Sequence, residues 1–193
     1  RRPGIAIWVV DRASPSESGR LHAPGLHALG LDPGRVVLVA ARDAADVLWV
    51  MEEALKSRGV AAVLAEIRGA PRALDLTATR RLALRAQGRA VAALLLRTDA
   101  VPEPTAAVTR WHVAARPAAT AGGFSQGVGR PAWRVDLVKN REGRLGGWNL
   151  DWTPHERRFD LLPPDPVARP AAPADRPADP GGTGQVVALK RAS

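Results

Sequence analysis

The sequence predicts an α/β fold, with a mostly parallel sheet flanked by helices and then antiparallel strands that include a hairpin. Three observations predict it. Apolar runs at 5–10, 36–40, 60–66 and 90–97 have the length and composition of buried strands. Helical stretches alternate with these runs, which calls for right-handed crossovers, parallel pairing and a sheet covered on both faces. After residue 100 the helices stop, and strand-like segments follow one another at 109–116, 132–141 and 147–152.

Each element has a local reason. "IAIWVV" (5–10) is continuously apolar, and the polar "DRASPSESGR" (11–20) reads as a loop. "APGLHALGLDPGR" (23–35) reads as a short helix closed by Gly30, then a turn at Asp32–Pro33–Gly34. "VVLVA" (36–40) is the second strand. Asp43 suits an N-cap, and the following helix to Arg58 puts Val47, Leu48, Met51 and Leu55 on one face, with Gly59 as its stop. "VAAVLAE" (60–66) is the third strand and ends at Glu66. A helix over 74–88 has Asp75 as its cap, an apolar stripe of Leu76, Leu82 and Ala86, and Gly88 at its end. "AVAALLLR" (90–97) is the fourth strand. "EGRLGG" (142–147) joins the last two antiparallel segments as a turn.

Hydrophobic residues make up 46% of the 193, enough for one domain with a real core, expected over 1–162. The remaining 163–193 holds seven prolines by residue 180 and reads as a disordered Pro/Ala-rich tail. With no cysteine, disulfides and cysteine metal sites are excluded, and an intracellular, cytoplasmic setting is expected. No apolar run reaches membrane-spanning length, and no secretory pattern opens the chain. The first residue is Arg1, so a missing natural start is expected. The net charge of +9 favours anionic partners, nucleic acid first among them. A high-GC coding bias toward arginine gives the same balance, and composition leaves the two readings open.

Glu66 is the sharpest chemical candidate. Acids at strand ends of α/β sheets hold magnesium in nucleotide enzymes, yet residues 1–59 contain no glycine-rich phosphate loop. Alone, the position favours a satisfied or solvated structural carboxylate over a metal ligand. His22, His27, His112 and His155 form no close-set ligand pair, and no G-x-S-x-G elbow is present. Trp133, Trp148 and Trp152 lie near Lys139, Arg141 and Arg144, a pattern that suits nucleic acid. Their alternation with Val135, Leu137 and Leu150 instead predicts core packing. Lys139, Arg141 and Arg144 at the hairpin remain candidates for DNA or partner contact. Arg80 and Arg81, with Arg85 a turn on, form a second basic cluster that becomes a patch only beside the hairpin.

The order of elements resembles the RecA-like ATPase core. Residues 25–66 look like its stretch from the second core strand to the Walker B strand, and "WRVDLVKNREGRLGGWNLDW" (133–152) resembles its Lys-Asn hairpin segment. The resemblance is closer still to the ImuA family, RecA- and SulA-related proteins of bacterial damage-induced mutagenesis. It is carried by "LHAPGLHALGLDPGRVVLVAARDAADVLWVMEEAL" (21–55), "LDLTATRRLAL" (74–84), "LLLR" (94–97), "AAVTRWHVAA" (106–115) and the 133–152 segment.

That resemblance puts a Walker B Asp where Glu66 stands, a catalytic Glu where Asp11 and Arg12 stand, and a polar sensor where Arg97 and Thr98 stand. The strand and helix that carry the phosphate loop would precede Ile5 and are absent from this chain. It therefore implies a non-enzymatic accessory subunit in translesion synthesis. The implied partners are an ImuB-like inactive Y-family polymerase relative and an error-prone DnaE-type polymerase, with DNA and RecA as further contacts. No cofactor is implied, and ATP with magnesium enters only if a phosphate loop lies upstream. A RecA-like DNA-dependent ATPase and a SulA-like inhibitor of cell division are the alternatives.

Overall fold

The computed structural model describes residues 4–12, 19, 21–89, 91–117 and 129–163. The expected tail from 164 onward lies outside them. The elements are β1 (Ile5–Asp11), α1 (Ala23–Ala28), a 3-10 turn (Pro33–Arg35), β2 (Val36–Ala41), α2 (Ala44–Lys56), β3 (Val60–Arg68), α3 (Leu76–Ala86), β4 (Ala92–Thr98), β5 (Thr109–Arg116), β6 (Ala132–Asn140), β7 (Gly146–Thr153) and β8 (Arg158–Leu162). Four strands form a parallel sheet in the order β2-β1-β3-β4, and four form an antiparallel meander in the order β5-β6-β7-β8. The α/β class and the change to antiparallel pairing after residue 100 are as the sequence predicts.

The caps form as expected. Asp43 accepts a hydrogen bond from the Asp46 N–H at 2.9 Å, and Asp75 from the Ala78 N–H at 2.7 Å. Gly30 and Gly59 take left-handed φ values of +85° and +84° past the ends of α1 and α2, where a side chain would be strained. Val47, Leu48, Met51 and Leu55 of α2 are buried against Val9 of β1 and Val63, Ala65 and Ile67 of β3. This is the main core.

Coverage of the parallel sheet differs from expectation. The steps β2→β3 and β3→β4 run the same way across the sheet, so right-handed crossovers put α2 and α3 on one face. The step β1→β2 runs the other way, and the described part of its connection carries α1 and the short 3-10 turn, none of whose residues is buried. Alternate residues therefore stay open on that second face. Leu38, Leu94 and Leu96 are 52%, 53% and 47% exposed.

Three smaller differences follow from local geometry. The strand β3 continues two residues past Glu66 to Arg68, because Ile67 and Arg68 still pair with Arg97 and Thr98. On α3, Leu76 is exposed while Ala78 and Leu82 are buried. Six residues at about 100° each put Leu76 and Leu82 on different faces, whereas Ala78 and Leu82, one turn apart, share one. Residues 155–158 make a tight turn, with Arg157 at φ +50°, that returns the chain as β8, a strand the sequence reading does not include.

The stretch 99–108 ties the two sheets together. The Ala106 N–H donates to the Thr79 hydroxyl of α3 at 3.1 Å, Arg97 of β4 pairs with Glu103, and the Lys139 ammonium of β6 donates to the Thr105 carbonyl at 2.5 Å. One face of the meander is polar and carries ion pairs and hydrogen bonds between strands. Arg134 pairs with Asp136 at 2.7 Å, and Thr153 donates to Asp160 at 2.6 Å. That hydrogen bond, with Arg158 alongside, holds the Asp160 pKa below its ordinary value.

The corrected stripe on α3 makes a direct prediction. Leu82→Ala should cost about 2–5 kcal/mol in urea unfolding, and Leu76→Ala should stay within about 0.5 kcal/mol of the parent. Equal losses at both positions would restore the stripe read from sequence.

Candidate functional site

Two regions hold the residues singled out by sequence. The first surrounds Glu66. Its side chain lies on the face of the parallel sheet opposite α2 and α3, between Val10 of β1 and Leu96 of β4. There the Trp8 indole N–H donates to the Glu66 carboxylate at 2.5 Å. Neighbouring positions on the same face include the apolar Val10, Leu64, Leu94 and Leu96, with the cationic Arg68 and its partner Thr98 two residues on. A magnesium ion asks for several oxygen ligands around it, and this carboxylate has an indole donor and aliphatic neighbours instead. The surroundings of Glu66 do not fit that ion.

The other positions where the RecA resemblance expects machinery have structural partners. The Arg12 N–H donates to the Ala41 carbonyl at 2.9 Å. The Arg97 guanidinium donates to the Gly69 carbonyl and to Glu103. Among the described residues, no group of three or more His, Asp or Glu side chains converges where a metal could sit.

The second region is the hairpin between β6 and β7. Asn140 shapes its tip. The Asn140 side-chain carbonyl accepts from the Glu142 N–H at 3.0 Å, and its amide donates to the Arg144 carbonyl at 3.3 Å. Arg141 and Arg144 are exposed on this tip, as the sequence reading placed them. Lys139 is half-buried at its root. Burial, then the nearby Arg141 and Arg110 charges, push the Lys139 pKa below its ordinary value. A β-bulge between Arg110 and Trp111 sets Arg110 opposite Lys139 and Trp111 opposite Leu137. The Arg110 guanidinium donates to the Glu103 carbonyl.

Arg80 and Arg81 are placed differently. Both are exposed on α3, and Arg81 pairs with Glu52 of α2 at 2.9 Å. Arg81 lies two residues, about 200°, around the helix from Thr79, the residue that touches the 105–106 stretch beneath the hairpin. Arg81 therefore turns to α2 and not to the hairpin.

The tryptophans divide. Trp152 is buried at 8% exposure and meets Phe159 edge-on with ring centroids 5.0 Å apart, as core packing predicts. Trp133 is half-buried and meets the same ring at 5.9 Å. Trp148 is exposed at 37%, so the core expectation does not extend to it. Arg110 and Trp111 were not singled out by sequence. The signal was available: Trp111 and Val113 alternate in the same way as Leu137 and Val135, which face them.

The Trp8–Glu66 contact is testable. Trp8→Phe keeps the ring bulk and removes the N–H, leaving the part-buried carboxylate without its donor. Unfolding free energy should fall by about 1–3 kcal/mol. Trp8→Phe combined with Glu66→Leu should recover part of the loss. No loss in the single variant would mean that water satisfies Glu66 equally well.

No protein-family profile matches the chain. Comparison with curated proteins finds Protein ImuA of Caulobacter vibrioides, from strains NA1000 / CB15N and ATCC 19089 / CIP 103742 / CB 15. Each is 38% identical over 160 residues, covering 78% of this chain. The chain spans 61% of the length of these relatives. Identity at this level, over 78% of the chain, settles the kinship: the chain belongs to the ImuA family.

Proposed function

We propose that this protein is a non-catalytic accessory subunit of bacterial damage-induced mutagenesis. It joins an ImuB-like inactive polymerase relative to an error-prone DnaE-type polymerase during translesion synthesis in the cytoplasm. The single observation that carries this reading is the 38% identity to Protein ImuA over 160 residues. The Glu66 region supports the non-catalytic part. Its carboxylate is occupied by the Trp8 indole, and Arg97 is spent on holding the 99–108 stretch. No helix among the described residues is long and apolar enough to cross a membrane.

The contact surface in this reading is the hairpin with Lys139, Arg141 and Arg144. Asn140 fixes the shape of the tip and Lys139 anchors its root, so the two exposed arginines project from a braced turn. A braced turn loses little side-chain and loop freedom when a partner binds. Exposed like charges there also speed association with an anionic surface.

The test is affinity recovery of the full-length protein from DNA-damaged cells, read by mass spectrometry. A Y-family-like protein and a DnaE-type polymerase should be recovered. Arg141→Glu with Arg144→Glu should lower that recovery several-fold without changing thermal unfolding. Recovery of the division tubulin without polymerases would contradict the proposal. So would nucleotide hydrolysis that is abolished by Glu66→Ala.

A further inference from the structure

The meander has one apolar face that the described residues leave partly open. Cross-strand register places Trp111 and Val113 of β5, Trp133, Val135 and Leu137 of β6, Trp148, Leu150 and Trp152 of β7, and Phe159 and Leu161 of β8 on it. Trp111, Val113, Phe159 and Leu161 are 49%, 57%, 56% and 71% exposed. An apolar sheet face this open marks a binding surface.

The hairpin end of this face has a specific construction. Leu137 is flanked by Trp111 on β5 and Gly146 on β7. The Trp148 ring lies across Gly146, where a Cβ would come within 2.8 Å of it. Glycine at 146 thus lets the indole lie along the sheet toward Trp111. The two rings meet 5.9 Å apart at 39°, over a buried Leu137. Both remain open to solvent on their outer sides.

Positive charge borders the pair. It comes from Arg141 and Arg144, exposed on the hairpin tip that leads into Gly146 and Trp148, whereas Arg110 and Lys139, one residue before Trp111 in the register, face the other side of the sheet. Exposed paired π faces with a cationic border match a polynucleotide strand whose bases are free to stack. A duplex keeps its bases stacked inside and offers no such faces. A second copy of this chain would set two basic borders against each other.

We propose that the Trp111–Trp148 face binds single-stranded nucleic acid, with bases stacked on the two indoles and phosphates held by the hairpin arginines Arg141 and Arg144. The proposal rests on the reading of the hairpin as a contact surface only for the position of its charge. It extends the functional area from a charged tip to the adjoining sheet.

The full-length protein is titrated with labelled oligo(dT) and oligo(rU) of about 16 nucleotides, the upper site size of comparable single-strand binders, and with a blunt duplex. Single strands should bind more tightly than duplex, quench tryptophan fluorescence and weaken as salt rises. Tighter binding of oligo(dT) or of oligo(rU) identifies which strand is held. Trp111→Ala should weaken binding about 5- to 150-fold, the range for one lost base–aromatic stack, while Trp111→Phe retains most of it. Trp111 is half exposed, so its alanine variant should still fold even if Trp148→Ala does not.

Unchanged oligonucleotide binding by a folded Trp111→Ala protein overturns the proposal. So does a change from dimer to monomer in that variant, which would make the face an interface between copies. Loss of the polymerase partners in Arg141→Glu/Arg144→Glu, with Trp111→Ala unaffected in every assay, sinks the stacking face and leaves the accessory role standing. Loss of oligonucleotide binding in Trp111→Ala, with no polymerase ever recovered, does the reverse.

Discussion

The seating of α2 on β1 and β3 is the interaction on which the rest of the structure depends. Val47 and Leu55 are fully buried, with Met51 beside them, and they face Val9, Val63 and Ala65, which are equally enclosed. Each such side chain contributes about 1.5–3 kcal/mol when taken from water. Once α2 lies on that face, the handedness of the crossovers brings α3 to the same side and leaves the opposite face to the β1–β2 connection. The one-sided core is thus a consequence of strand order and not of a shortage of apolar residues.

The second half of the chain is held to this core through side chains of opposite character. Thr79 fixes the 99–108 stretch from α3, Arg97 fixes it from β4, and Arg110 and Lys139 reach it from the meander. Four elements converge on one extended segment. The positions that the RecA resemblance would give to nucleotide chemistry serve structure instead. Glu66 is tied to an indole and Arg97 to main-chain carbonyl and carboxylate oxygens.

Much of this was legible in the sequence, for physical reasons. Asp43, Asp75 and Gly59 act within one helical turn, so their roles can be read without knowing what packs where. The stripe on α2 repeats over several turns and is unambiguous, whereas the shorter α3 allowed Leu76 to be counted on a face that it does not share. The strand β8 was missed because "RFDLL" is introduced by charged residues and has only its register with β7 to define it. Trp148 shows the limit of alternation. Period two tells which residues share a face, but not whether anything covers that face. The basic hairpin was legible as a charge cluster, while the pairing of Trp111 with Leu137 near its root required the bulge that sets the register.

The account's central claim is that the working surface lies on the meander, where exposed indoles adjoin the basic hairpin. Hydroxyl-radical footprinting of the full-length protein, with and without oligo(dT), tests it most directly. Trp111 and Trp148 should be oxidised in the free protein and protected by the oligonucleotide. Trp49, exposed on α2 at 63%, should be oxidised equally in both. Protection centred on Trp49, or no change at Trp111 and Trp148 on saturation with oligonucleotide, would contradict the account.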